Sequence, residues 1–279
     1  MTASSRPLHQ PLIEASTDAS GRYHFQAIDE AQPEPVELAE ECALAIAYNG
    51  LSQAVMMVTP ADLEDFVVGF SLGAGIVQST ADIYDIRVSG AGHGRHAEVE
   101  IASRAFWTLK EQRRQLPGNA SCGLCGVEAL EQALPKLPAL PVAPLPPAHW
   151  LDDLRQRVAE FQPLAQRCGA VHAALFINAQ GKIVLGREDI GRHNALDKLI
   201  GALSRAGEEL GSGVAVVTSR CSLELIHKVQ RAGISTLVSF SSPTGLAAHW
   251  AQRHNLNLIH IPHRSPPRVF SPAGQEAQG

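Results

Sequence analysis

Residues 214–261 constrain the fold more than any other part of the chain. Apolar runs at 214–218, 236–241 and 256–261 alternate with helix-period segments at 223–232 and 244–254. Strands without a polar face, separated by helices, predict a parallel sheet covered on both sides. Upstream, residues 171–178 and 182–186 flank Ala179-Gln180-Gly181 and read as a hairpin, followed by a helix over about 193–206. In that helix Leu196, Leu199, Ile200 and Leu203 recur at helical spacing and face a core. The expected fold class is therefore α/β, with a mostly parallel, helix-covered sheet in the C-terminal half.

The N-terminal half reads as a smaller α+β unit. Runs at 43–47 and 51–58 flank Asn49-Gly50, the dipeptide suited to a two-residue hairpin turn with positive φ at both positions. Thr59-Pro60 with Asp62 predicts a helix start, the Thr59 hydroxyl capping free N–H groups and Leu63, Phe66, Val67 and Phe70 turned inward. Strands are expected at 83–88 and 98–101, a basic-ended helix at 105–115, and a further helix at 127–134. Residues 1–35 have the composition of a flexible arm, 36–134 form the N-terminal domain, Pro-rich 135–147 a linker, 148–271 the C-terminal domain and 272–279 a tail. A chain of 279 residues with 45% apolar content has the length and hydrophobicity for such a core.

Charge and cysteine usage narrow the function. A net charge of -5 without a Lys/Arg block argues against a nucleic-acid surface, which rests on many phosphate contacts. Neither a signal-type apolar core in the first ten residues nor an uncharged apolar run near eighteen residues is present, so neither export nor a membrane span is expected. Five cysteines, an odd number in a chain too large to need staples, read as reduced thiols of a cytoplasmic protein.

Two of those thiols, Cys122 and Cys125, share the loop Ser121-Cys122-Gly123-Leu124-Cys125-Gly126, which leads into the expected helix. A thiolate near a helix N-terminus is favoured by the dipole and free N–H donors, which lowers its pKa and makes it a nucleophile. Lys110, Arg113 and Arg114 in the preceding helix add positive charge. A reactive thiol on a Gly-rich loop suits a sulfur shuttle, which visits a donor, attacks it and presents the sulfur to an acceptor. A single CxxC also allows redox chemistry, metal binding or an incidental loop. The metal alternative has a specific form: His96-Ala97-Glu98 upstream of Cys122 and Cys125 imitates a zinc deaminase, with Glu98 as proton shuttle. Against it, Ala97, Val99 and Ile101 alternate with Glu98 and Glu100 as in a half-buried strand, whereas a deaminase opens a helix there, and Ser121 stands where such enzymes carry Pro. No metal is assigned.

A second concentration runs from Gly186 to Lys198. Arg187, Arg192 and His193 beside a helix start are candidates for an anion site, since guanidinium forks and helix N–H groups both match phosphate; ion pairs within an exposed loop are the plainer alternative. Ser219-Arg220 and Ser242 end predicted strands just before helices, where open α/β sheets bind ligands and where simple capping also places Ser.

Together these segments, from about Glu41 to Arg268, resemble the formate dehydrogenase accessory sulfurtransferase family, FdhD. The likeness lies in Asn49-Gly50, Thr59-Pro60, Gly69-Phe70, the Ser-Cys-Gly-Leu-Cys-Gly loop, the Gly186 to Lys198 block, Ser219-Arg220, Lys228 with Ala232-Gly233-Ile234, and residues 239–244. It implies a cytidine-deaminase-like C-terminal half and a homodimer. It implies sulfur transfer from a cysteine desulfurase to the molybdenum bis(molybdopterin guanine dinucleotide) cofactor of formate dehydrogenase, with Cys122 as persulfide carrier and Cys125 assisting or resolving. The family's cofactor segment maps onto Ile261, Pro262, His263, Arg264, Ser265 and Pro266. There the chain departs from the pattern: His263 and Pro266 stand where two Arg are expected, and a neutral His is the weaker pyrophosphate partner. A protein that only binds and protects the cofactor is the other alternative.

Overall fold

Three sheets organise the residues that the computed structural model describes, 19–25, 28, 33–115 and 134–271. Strands β1 (Ser20–Phe25) and β2 (Glu34–Ala39) form an antiparallel ribbon. Residues 20–25 are therefore paired, where a flexible arm was expected; a ribbon exposed along most of β1 carries no periodic apolar signal. The second sheet joins β3 (Cys42–Tyr48), β4 (Leu51–Val58), β5 (Ile83–Ala91) and β6 (Gly94–Ile101) in the order β4-β3-β6-β5. Asn49 and Gly50 turn β3 into β4 with φ of 47° and 78°, as the hairpin signal predicts. One face of this sheet buries Leu44, Ile46, Val99 and Ile101 beneath α1 (Leu63–Gly73) and α2 (Ser103–Gln115). Phe66 and Val67 point into that core, with Leu63 and Phe70 packed at its margin.

The third sheet runs β12-β11-β10-β9-β7-β8 and comprises β7 (His172–Ile177), β8 (Ile183–Asp189), β9 (Val214–Val217), β10 (Thr236–Ser239), β11 (Asn257–His260) and β12 (Arg268–Ser271). It is mixed, not mostly parallel: β9, β10 and β11 are mutually parallel, while β7 pairs antiparallel with β8 and β9, and β12 antiparallel with β11. Parallel neighbours need a crossover element, and only the two connections through helices among β9, β10 and β11 supply one between adjacent strands. Short turns before β8 and β12 reverse the chain instead. Side chains alternate between the faces, so Leu175, Val216, Val238 and Ile259 pack under Leu154 and Val158 of α3 (Leu154–Ala159). Phe176, Val217, Leu237 and Leu258 pack under α5 (Arg192–Ala206), α6 (Leu223–Arg231) and α7 (Gly245–Arg253). The short α4 (Pro163–Cys168) lies beside β2.

Two features bind the halves together. Helix α1 crosses α5 so closely that a Cβ on Gly69 would lie 1.7 Å from the Asp197 carbonyl, and one on Gly201 1.8 Å from that of Asp65. Glycine is required there because backbone meets backbone. The second feature is the segment read as a linker. Leu140 N donates to His254 O, Asn255 Nδ2 to Leu140 O, Gln230 Nε2 to Pro138 O, and Asn257 Nδ2 to Ala143 O and Pro144 O. The Pro-rich chain is a strap along the sheet edge, not a free connector: proline lacks a donor, but the carbonyls of such a segment still accept from side chains.

Candidate functional site

The carboxyl ends of β8, β9, β10 and β11 lie along one edge of the third sheet, and most of the polar groups singled out from the sequence gather there. After β8 the chain turns through Ile190-Gly191 into α5, and a buried ion pair shapes that turn. Lys198 Nζ lies 2.6 Å from Asp189 Oδ2, both side chains fully buried. Asp189 also accepts from Thr59 N, Gly191 N and Asn194 Nδ2, while Lys198 donates to Thr59 O. Thr59 does not cap α1, as the sequence suggests; Asp62, with φ 52°, precedes that helix without a side-chain cap. The Thr59 hydroxyl instead accepts from Ile190 N at 3.1 Å, so the network fastens the end of β4 to the α5 start. Buried charges persist only when paired and hydrogen-bonded.

This turn presents Arg192 and His193. Arg192 is half-buried, and its Nε is buried without a hydrogen-bond partner among the described residues. His193 Nε2 lies 2.7 Å from Glu224 in the first turn of α6. His172, at the start of β7, belongs to the same group: burial first, then the charges of Arg192 and Arg220, hold its pKa below the ordinary imidazole value, against the opposing pull of Asp189. Burial foremost and then Arg192 depress His193 likewise. Both rings are thereby kept neutral near pH 7, available as hydrogen-bonding groups without charge. Ser219 is buried and donates to Arg220 O, Arg220 itself is exposed, and Ser222 Oγ is buried without a partner among the described residues. A bridge between Cys221 and Pro243 sets the β9 and β10 loops side by side, with Ser242 exposed.

The last predicted segment leaves β11 at the same edge. Ile261 is buried, Pro262 half-buried, and His263, Arg264, Ser265 and Pro266 are exposed on the loop into β12, which places Arg268 opposite His260. Beneath the loops lies a residue that sequence reasoning missed. Arg155 Nη2 donates to Phe240 O at 2.7 Å and Ile261 O at 2.6 Å, with its guanidinium 4.3 Å from the Phe240 ring centre. Its partners are backbone carbonyls 85 and 106 residues away, so no local motif announces it. His172 escaped notice for the same reason.

Arg187 does not join this edge. Its guanidinium turns to α1, 2.8 Å from Asp65, whose other oxygen meets Arg205 at 2.5 Å. The pairing is an interlock between the halves rather than a free anion receptor. His96 is exposed on β6, and Glu98 accepts from Gly50 N at 2.7 Å; both occupy a strand face, where the deaminase signature needs a helix. Lys110 sits 4.8 Å from the Trp107 ring centre. Cys122, Cys125 and residues 127–133 of the helix expected at 127–134 lie outside the described residues. No group of three or more His, Cys, Asp or Glu among the described residues is placed to hold a metal ion, and no described helix is long and apolar enough to cross a membrane. Chemically, two arginines, helix N-termini and neutral imidazoles along one edge suit a ligand bearing phosphates.

A family model described as the FdhD/NarQ family matches residues 39–276. A curated protein of Cupriavidus necator, named sulfur carrier protein FdhD, is 45% identical over 242 residues, spanning 84% of this chain and 84% of its own. A solved structure from Desulfotalea psychrophila, described as a formate dehydrogenase accessory protein, aligns with a TM-score of 0.67 at 26% identity, covering 90% of this chain and 96% of that one.

Proposed function

Because the chain belongs to the FdhD/NarQ family, we propose that it is a sulfur carrier in formate dehydrogenase maturation, taking sulfur from a cysteine desulfurase onto Cys122. The Cys122 thiolate attacks the outer sulfur of the donor persulfide. The new S–S bond forms as the donor's breaks, the donor cysteine leaves as a thiolate, and no net oxidation occurs. Delivery as sulfide requires two electrons. Cys125 supplies them by attacking the Cys122 sulfur, expelling the outer sulfur as sulfide and leaving a disulfide for cellular thiols to reduce.

The acceptor in this reading is the molybdenum bis(molybdopterin guanine dinucleotide) destined for formate dehydrogenase. The observation that carries it is the shared sheet edge, where Arg192, His193, Ser219, Arg220, Ser242 and Ile261 to Pro266 converge. Arg192 and Arg220 suit the phosphates, with Arg264 and Arg268 standing near the positions where His263 and Pro266 depart from the family pattern. The order β8-β7-β9-β10-β11, with helices on both faces, accords with a cytidine-deaminase-like C-terminal half. Exposed Val55 and Met57 on β4 suit a homodimer contact, and free Cys42, Cys168 and Cys221 a reducing cytoplasm.

The test is non-reducing mass spectrometry of the Cys122 to Cys125 peptide after incubation with a cysteine desulfurase and cysteine. The mass of one added sulfur, lost on reduction and absent in Cys122→Ala, is the expected result. A doubly substituted Cys122→Ala/Cys125→Ala protein that still matures formate dehydrogenase would instead establish a binding-only role. Calorimetry with guanosine diphosphate tests the edge: Arg192→Ala weakens binding, and unchanged affinity removes that residue from the site.

A further inference from the structure

A groove on the opposite margin of the C-terminal half is unused by that chemistry. It lies between α7 and the strap and is lined by Leu134, Lys136, His249, Trp250, Arg253 and His254 among others, with no acidic residue among the described lining residues. In a chain of net charge -5, a groove with this lining stands out. Leu246, His249, Trp250 and Arg253 recur at i, i+3, i+4 and i+7, one stripe of α7. Leu246 is 53% exposed and His249 and Arg253 are exposed, and exposed Leu134 and Lys136 of the strap line the same groove as His249 and Arg253. The groove's form is fixed from within: Trp250 Nε1 donates to Gln230, whose own amide holds Pro138 O.

The aromatic lining decides what class of ligand fits. Trp250 is stacked on His254 at 4.4 Å and 11°, and His227 meets it edge-on at 4.6 Å. Its indole N–H is also occupied. A nucleobase would need a free ring face, and this ring is already packed. What remains open is cationic and aliphatic surface, complementary to carboxylates interspersed with apolar side chains. Position adds a reason for a protein partner. Leu134 follows Cys125 by nine residues, and an extended chain spans at most about 3.6 Å per residue, so the groove lies within roughly 30 Å of that thiol along the chain.

We propose that the groove between α7 and the 134–139 strap docks an acidic, partly apolar segment of the protein that donates sulfur, holding the donor within reach of the cysteine loop. This rests on the sulfur-carrier reading and adds the recognition surface. Exposed charges act mainly on association and are screened by salt.

The experiment compares sulfur loading of the full chain and of Lys136→Glu/Arg253→Glu from two sources, a purified cysteine desulfurase with cysteine and inorganic polysulfide. The expected result is a loss of about tenfold in the loading rate from the desulfurase at low salt, no change with polysulfide, an unchanged melting temperature, and a gap that narrows at high salt. Equal rates from the desulfurase overturn the docking proposal while leaving the carrier reading in place. A wild-type chain that takes sulfur from neither source overturns both. A variant that loads normally but loses guanosine diphosphate binding, or that dissociates from dimer to monomer, assigns the groove to another occupant and likewise refutes the proposal.

Discussion

Replacing Lys198 by Met tests whether the Asp189 network holds the α5 turn in place. Both charged side chains are fully buried and 2.6 Å apart, so the substitution leaves a carboxylate in the interior without its counter-charge. Breaking such a pair costs about 3–5 kcal/mol. Three donors remain on Asp189, from Thr59 N, Gly191 N and Asn194 Nδ2, which places the cost near the lower end, about 3 kcal/mol. For a chain of this size that corresponds to a fall in Tm of roughly 6–12 °C. Urea denaturation reads it as a shifted midpoint with an unchanged slope. Adding Asp189→Asn to Lys198→Met removes the stranded charge and should recover part of the loss, a coupling that a double-mutant cycle measures. A single variant within 1 kcal/mol of the wild type would falsify the assignment of this pair as the lock between β4 and α5. Because the same network presents Arg192, the folded fraction of Lys198→Met should also bind guanosine diphosphate less tightly.

Gly69→Ala drives a methyl group into the Asp197 carbonyl, so α1 must lift from α5; a loss of about 3 kcal/mol or more is expected in the same denaturation assay, since this neighbour is backbone and has no rotamer to yield. His227 is buried, and burial chiefly, with Arg231 and His254, pulls its pKa from 6.5 to about 4. The unfolded chain therefore binds a proton that the fold refuses between pH 6.5 and 4, and stability falls as pH drops through that window, on the order of 2 kcal/mol. His227→Phe should flatten that part of a stability-against-pH curve; an identical slope would acquit this residue. Burial pushes the Cys221 thiol up to about 12 and raises Cys42 as well. In the native protein both should resist iodoacetamide at pH 8 and react only after unfolding, as peptide mapping would reveal. Arg155→Met removes the donor shared by Phe240 O and Ile261 O; guanosine diphosphate affinity should drop by about tenfold, roughly 1.4 kcal/mol, with Arg155→Lys restoring part of it.

Local chemistry was legible wherever the chain's own neighbours decide the outcome. Asn49-Gly50 turns a hairpin because two successive positive φ values need those residues. The 3.6-residue spacing of Leu196, Leu199, Ile200 and Leu203 buries one face of α5, and alternation at Ala97, Val99 and Ile101 puts His96 on a strand face. The CxxC loop suggests thiol chemistry by residue type and spacing alone, and Cys122 and Cys125 lie outside the described residues. What could not be read were pairings between distant segments. The direction of β12, the strap that accepts from Gln230 and Asn257, and the use of Arg187 against Asp65 depend on which groups meet in space, for the strap and for Arg187 across about 90 to 120 residues of chain. Arg187 in an RED-x-GRH block looks like an anion receptor until α1 brings a carboxylate to it, and Thr59 looks like a cap until β8 ends beside its hydroxyl. Periodicity reports which side of an element is apolar; only packing determines which polar groups are paired and which remain open to a ligand.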